Sequence, residues 1–529
     1  MQLGNRKSQH SFAQIPSVNI PRSKFNRSFT VKDTMYFDDL VPIYLDEVLP
    51  GDTYNVSLSV FARLATQAVP IMDNMYIDYF FFFVPNRLVF DRWEKLNGAQ
   101  DNPADSTDII MPIMTPGAAF TINSIYDHFG LPTGVANVPI ANTLPFRGYY
   151  LIWNEWFRDQ NLQNSLTVPT DNGPDVQGDF TLQKRNKVHD YFTSCLPWPQ
   201  KGDAVELPLG TSAPVIGIGK NNATFPTAGA TNMRETGGIL ATYANSAEID
   251  GTTANGSFYI KEDPSNTGYP LITADLSSAT AATINQLRQA FSMQSLFELD
   301  ARGGTRYVEI LRAHFGVISP DFRLQRPEYL GGGQTRINSH PVAQTSETDT
   351  SPQATLAAYA TSSGQGIGFS KSFVEHGYII GLACARADIT YQQGLNRLWS
   401  RSTRYDFYWP KLSELGEQEV LNQEIYVQGA SADTSVFGYQ ERYSEYRYKP
   451  SEIRGQFRST AATSLDVWHL AEEFGSLPAL NSTFIRQNTP IDRAIVVTDE
   501  PDLLMDMWFS QTCARPMPVY STPATLGRF

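Results

Sequence analysis

MYIDYFFFFVP, residues 75–85, decides how this chain folds. Tyr, Ile, Phe and Val favour a pleated, half-buried surface, and Pro85 punctuates the end of the run. Successive side chains of a strand alternate between its two faces, so Phe80 to Phe83 cannot all point one way. Both faces therefore need cover, one from a barrel interior and the other from a loop or another subunit. The run is far shorter than the ~18 apolar residues of a membrane span, and no such span is expected.

Upstream, Gly51 and Asp52 mark a turn before NVSLSVFARL (55–64), whose partial alternation of apolar and polar residues predicts a second strand. Downstream, RLVFDRWEKLNG (87–98) predicts a short helix ended by Asn97–Gly98, and Arg147 to Leu162 predicts a longer one carrying Tyr150, Trp153, Trp156 and Phe157 on a packing stripe. Aromatics make up 12% of the chain and charged residues only 18%, with 37 Gly and 33 Pro, which favours a β-rich protein with much irregular backbone. At 529 residues it has room for several domains, or for one large β domain carrying long excursions.

The formal net charge of −13 argues against nucleic-acid binding over the whole surface. Yet Arg6, Lys7, Arg22, Lys24, Arg27 and Lys32 face only Asp33 in the first 34 residues. Residues 1–35 thus read as a basic, Pro-punctuated extended arm, which is solvated, touches a polyanion or packs under an adjacent subunit. Cys195, Cys384 and Cys513 are isolated and odd in number, which predicts no disulfide framework and folding in a reducing compartment. The N-terminus has no apolar core of a signal peptide.

From Pro199 to Thr283 the composition shifts to Gly, Ala, Thr and Asn, as expected of a large surface insertion between framework strands. Residues 284–314 regain helical periodicity as two segments split by Gly303–Gly304, with apolar positions for docking and Arg288, Arg302, Arg306 and Arg312 as a basic face. SHPVAQTSETDT and the stretch through LAAYATSSGQGIG (339–368) read as a polar linker or loop, and SFVEHGYIIGLACARADITYQQG (372–394) as one or two strands. Residues 500–529 read as an extended C-terminal tail.

Chemistry-bearing motifs are sparse. No phosphate-cradling Walker motif, nucleophile elbow, HExxH or paired CxxC occurs, and the seven histidines are dispersed, so no catalytic residue is assigned. The oxygen-rich DNPADSTD (101–108) suits ordinary Asx turns as well as a hard cation. No cofactor or metal is expected, with a structural divalent cation left open. Basic residues carry more. Lys184, Arg185 and Lys187 form one group; Arg397, Arg401 and Arg404 lie with Trp399 and Tyr405; Arg442, Arg447, Lys449, Arg454 and Arg458 interleave with tyrosines. Such sets hold phosphates and stack on unpaired bases, but the glutamates mixed among them favour ion pairs and cation–π contacts.

Several long blocks, in order, resemble the major capsid proteins of the Microviridae, small circular single-stranded-DNA phages, and most of all their gokushovirus branch. They are SFAQIPSVNIPRSKFNRSF, DTMYFDDLVPIYLDEVLPGDTYNVS, MDNMYIDYFFFFVPNRLVFDRWEKLNG, YYLIWNEWFRDQNLQ, LRQAFSMQSLFELDARGGTRYVEILRAHFGVISPDFRLQRPEYLGG and CARPMPVYSTPATLGRF. The resemblance implies a mainly β single capsid domain, an eight-stranded antiparallel jelly roll with long loop insertions and a few helices. It also implies a homo-oligomer of sixty copies in a T=1 icosahedral shell around circular single-stranded DNA.

The insertion, 199–283, is similar to the threefold protrusions of that branch and a candidate for host attachment through a surface receptor. Further implied partners are an internal scaffolding protein, a minor pilot protein and a small basic DNA-binding protein; assembly falls in the host cytoplasm and the final location is the virion. On this reading Tyr36, Phe37, Leu40, Tyr44 and Leu45 are candidate intersubunit anchors. Arg6, Lys7, Arg22, Lys24, Arg27, Arg397, Arg401, Arg404, Arg442 and Arg447 are candidate DNA or inner-surface contacts. The rivals are a β-sandwich carbohydrate-active enzyme, which needs two carboxylates in one cleft, and a nucleic-acid-binding module acting outside a shell.

Overall fold

The computed structural model describes residues 21–206, 283–349 and 352–520, apart from 104, 106, 107 and 116. Between 207 and 282 it describes only short backbone strands, such as Thr231–Arg234 paired with Leu240–Tyr243. The chain divides into two compact units, Gln200–Arg302 and the remainder.

The larger unit is built on nine strands: β1 (Ser23–Asn26), β2 (Phe29–Met35), β3 (Val41–Val48), β4 (Thr53–Leu64), β5 (Met75–Pro85), β6 (Glu328–Ala343), β7 (Leu356–Ser372), β8 (Gly377–Ala387) and β9 (Leu503–Arg515). Their hydrogen-bonded order is β1-β9-β4-β7-β6-β5-β8-β3, with β2 continuing β1 along β9, and every pairing is antiparallel. Strands β6 and β7 link two walls. Asn338–Ala343 pairs with Leu356–Thr361, while the rest of β6 runs along β5 and the rest of β7 along β4. One wall is thus β1/β2-β9-β4-β7 and the other β6-β5-β8-β3. Chain-consecutive strands hop between walls at almost every step, as in a jelly roll, with the interrupted β1/β2 counting as one of eight.

Alternation makes the walls pack. Val56, Leu58, Val60 and Ala62 of β4, and Leu503, Met505, Met507 and Phe509 of β9, all join one buried cluster with Tyr79, Phe81 and Phe83 of β5. The opposite face of β5 carries Phe82 and Val84 into a second cluster, covered by α1 (Leu144–Ile152) and the loops around it. Both faces of the four-phenylalanine run are therefore covered from within the subunit, including the face left open to a loop or a neighbour. The helix expected over 147–162 begins at Leu144 and ends in a π-turn, Trp153–Phe157, after which Arg158 is extended. The segment 87–98 forms two single turns, Asn86–Val89 and Trp93–Leu96. Helices Ile284–Arg302 and Tyr307–Phe315 fall where the periodicity placed them, split at Gly303–Gly304.

Three expectations need correction. Residues 23–35, part of the expected extended arm, are β1 and β2, docked on their own β9; residues 1–20 lie outside the described residues. The expected C-terminal tail supplies β9, which runs between β1/β2 and β4, while 521–529 are not described. The expected polar loop at 339–368 is mostly β6 and β7. Small side chains there misled the reading: Ala358, Ala360 and Ser362 are the inward positions, and they suit a place where two strands leave little room. Gly366, at φ 76°, sits in the bulge between Gly364 and Ile367, and a Cβ on Gly368 would meet the Val56 carbonyl oxygen at 1.9 Å. These glycines serve strand packing, not loop flexibility.

Beneath the second cluster, Arg147 is wholly buried. Its guanidinium donates to both Asp175 carboxylate oxygens at 2.8 and 2.7 Å and to the carbonyls of Val89 and Asp171. Removing one partner leaves a buried charge uncompensated, so Arg147→Ala is expected to cost about 3–5 kcal/mol. Urea unfolding checks this; a midpoint within error of the native protein contradicts it.

Candidate functional site

The FDDL turn that joins β2 to β3 is clamped inside the subunit. Asp38 takes a positive φ of 71°, and its buried carboxylate accepts the Thr489 backbone N–H at 2.6 Å and the Thr489 hydroxyl at 2.7 Å. The Phe37 N–H donates to Asp502 at 2.8 Å, and the Tyr44 hydroxyl donates to Gln511 at 3.0 Å. Phe37, Leu40 and Tyr44 are consequently 3%, 0% and 3% exposed. Of the five expected anchors, these three are committed to the subunit's own core; Tyr36 and Leu45, each 37% exposed, present surface. The run Val41–Tyr44 is buried on both strand faces, which alternation alone does not reveal. Burial pushes the Asp38 and Asp39 carboxyls up to about 6, Lys184 offsetting part of the effect.

The expected basic contacts divide. Arg6 and Lys7 lie outside the described residues. Lys24 is exposed on β1, Arg22 donates to the Thr53 hydroxyl and the Ala514 carbonyl, and Arg27 pairs with Asp46 at 2.7 Å. Arg397 pairs with Glu424 at 2.9 Å, Arg401 with Glu445 at 3.2 Å, and Arg447 with Glu441. Arg401 also lies over the Tyr446 ring at 4.2 Å, Arg404 over Trp409 at 4.5 Å and Arg442 over Tyr443 at 5.1 Å. Ion pairs and cation–π contacts within one subunit thus account for most of this cluster. Around it Leu398, Trp399, Tyr405, Phe407 and Tyr408 are all at least half exposed, an apolar patch of the kind that marks contact with another molecule.

A second open surface is the outer face of the β9-containing wall. The inward residues of β9 are buried, but Leu504 and Trp508 on its other face are about half exposed, beside Phe61 of β4. On the opposite wall, α1 and its loops cover the outer face of β5 and β8.

A third feature is a cleft of about 380 Å³ beside β5 and the π-turn. Phe80, Phe82, Trp156, Phe157 and Tyr329 supply aromatic surface; Arg158, Arg185, Lys187 and Arg306 supply cations; Asp159 is the one carboxylate in its lining. Arg185 pairs with Asp78, and Lys187 with Glu472 at 2.6 Å. Arg306 pairs with Glu309 at 3.2 Å and donates to the Arg158 carbonyl at 2.7 Å. Among the described residues Arg158 has no ion pair. The sequence flagged the basic character of Arg185, Lys187 and Arg306 separately; Arg158, hidden at a helix end, and Tyr329, in an apparent helix stop, carried no signal.

The three thiols are buried and unpaired, and burial pushes Cys384 up to about 12, so none is poised as a nucleophile. Among the described residues no group of three or more His, Cys, Asp or Glu is placed to hold a metal, and no helix is long and apolar enough to cross a membrane. A jelly roll whose distinctive surfaces are open aromatic faces defines a structural protein that builds with other chains. Residues 13–525 match the phage family described as capsid protein (F protein), and the chain belongs to that family. It is 60% identical to capsid protein VP1 of Bdellovibrio phage phiMH2K over the full length of both chains. It is 43% identical to capsid protein VP1 of Chlamydia phage 1 and 37% identical to that of Spiroplasma virus 4, over 97% of each chain in both cases. The resemblance read from the sequence blocks holds, and both rival readings fall.

The FDDL turn yields a pH prediction. A carboxyl whose folded value, about 6, lies above its ordinary 3.8 favours folding at low pH and loses that contribution as pH rises through this window. Asp39→Asn removes the cost of burying the charge. The variant's urea midpoint is expected to gain on the native protein between about pH 4 and pH 6 and to keep a constant lead above; a gap independent of pH contradicts the assignment.

Proposed function

We propose that this chain is the major shell subunit of a small phage, sixty copies closing a T=1 icosahedral shell around circular single-stranded DNA. The observation that carries the reading is identity of 60% to a capsid protein across the whole of both chains, joined to a jelly roll that is complete within one subunit. Closed symmetry turns many modest contacts into a stable container, because each subunit's folded state is also stabilised by its neighbours.

The open aromatic surfaces are the natural places for those neighbours. Tyr36 and Leu45 belong with them as anchors, and the Trp399–Tyr408 patch supplies a cluster of exposed aromatic rings. Half-buried ion pairs beside that patch, Arg401 with Glu445 and Arg397 with Glu424, hold its loops in shape. The separate unit Gln200–Arg302 takes the part of the threefold protrusion and of host attachment to a surface receptor. An acidic subunit of net charge −13 suits a shell that leaves bulk DNA neutralisation to a small basic partner, with an internal scaffolding protein guiding assembly in the host cytoplasm and a pilot protein as minor component.

Electron microscopy of the protein co-expressed with its scaffolding protein tests this reading. Uniform spherical shells bearing threefold protrusions are expected. Persistent monomers despite that partner contradict it.

A further inference from the structure

We propose that the cleft between β5, the π-turn and the start of β6 receives a single nucleotide of a single-stranded nucleic acid, its phosphate on Arg158 and Arg306 and its base against Tyr329. This rests on the reading of the chain as a DNA-enclosing shell subunit and assigns a site to that contact.

Charge is the first argument. In a chain of net charge −13, four cations and one carboxylate line this cleft. Arg158 and Arg306 are tied together by the hydrogen bond from the Arg306 guanidinium to the Arg158 carbonyl. Arg158 has only the Gln163 carbonyl, at 2.9 Å, as a hydrogen-bond acceptor for its guanidinium among the described residues. The Nε atoms of both arginines are buried with no acceptor. Burial and the neighbouring Arg306 charge both lower the proton affinity of Arg158. Two adjacent guanidinium groups at the cleft lining suit an anion that has several oxygens, and phosphate fits their fork geometry.

Aromatic surface is the second argument. Tyr329 is 41% exposed, and its ring lies 5.5 Å from Phe82 and 5.9 Å from Trp156, which back it. The register of β6 against β5 shifts between Tyr329 and Gly331, and such bulges re-aim side chains next to functional sites. A ring held in this way, beside cations, is the stacking platform of single-strand binders. Size agrees: 380 Å³ is at the small end of the roughly 300–1,000 Å³ of ligand pockets. Paired bases are stacked on their own neighbours, so a duplex has no base to offer.

The test uses the full-length chain and a bromodeoxyuridine-bearing single strand of about ten nucleotides, with photocrosslinks mapped to peptides. Crosslinks are expected on the peptides containing Tyr329 or Trp156. Affinity is expected to fall about tenfold in Arg158→Gln and in Tyr329→Leu, with Arg92→Gln, an exposed arginine away from the cleft lining, near native; an abasic strand of equal length should bind more weakly. Crosslinks confined to other peptides overturn the proposal. So does equal binding of the abasic strand, which would leave only an anion patch, or a neighbouring subunit's chain seated in the cleft of assembled shells. Because crosslinking needs no substitution, misfolding of a variant does not spare the proposal. Electron microscopy of the same preparations separates the two readings: shells without cleft crosslinks sink the nucleotide site alone, and absence of shells sinks the capsid reading.

Discussion

Everything in the larger unit depends on one strand that has to be buried on both faces. Phe81 and Phe83 of β5 enter the core between the walls, and Phe82 with Val84 enters the core outside it. Each fully buried phenylalanine contributes roughly 1.5–3 kcal/mol relative to exposure, so leaving either face wet would cost a large part of the stability of an ordinary domain. Satisfying the outer face requires the long excursion between β5 and β6, with α1 and the buried Arg147–Asp175 pair holding its loops in place. A strand rule with period two thus dictates a helix-and-loop layer more than sixty residues away from some of the partners it covers.

The same requirement leaves the molecule asymmetric. β5 and β8 of one wall are covered on their outer face, while the outer face of β4 and β9 leaves Phe61, Leu504 and Trp508 open. A lone subunit therefore carries apolar surface that none of its described residues covers, on this wall and around Trp399–Tyr408. For a soluble monomer that is a liability; for a member of a capsid family it is the surface on which the shell is made. Polar chemistry follows the same division. Arg397, Arg401 and Arg447 are matched by carboxylates of the same subunit, whereas Arg158, at the cleft beside β5, has no ion pair among the described residues.

Much of this was legible in the sequence. Alternation located β4, and the aromatic run located β5 and its double burial, because apolar side chains there are large enough to show the pattern. The walls' edges were harder. β7 is built from Ala, Ser and Gly, whose burial leaves no hydrophobic signature, and β9 lies near the end of the sequence, where a tail is the natural expectation. Three of the five candidate anchors lie in the subunit's own core for a different reason. Phe37, Leu40 and Tyr44 are apolar and follow a polar arm, yet contacts hundreds of residues away, to Thr489, Asp502 and Gln511, turn them inward. Nothing local encodes that. The basic clusters were visible, and so were the glutamates among them, but only the fold shows which pairs meet and that Arg158 has no ion pair among the described residues.

The central claim is that the subunit's core is complete and that its exposed aromatic surfaces are completed by other copies. Hydroxyl-radical footprinting of free subunits and of assembled shells tests it directly. Trp399, Tyr405 and Tyr408 are predicted to lose most of their oxidation on assembly while Phe81 and Phe509 stay protected in both states. Equal oxidation of the patch in subunits and shells, or core phenylalanines protected only after assembly, would contradict the account.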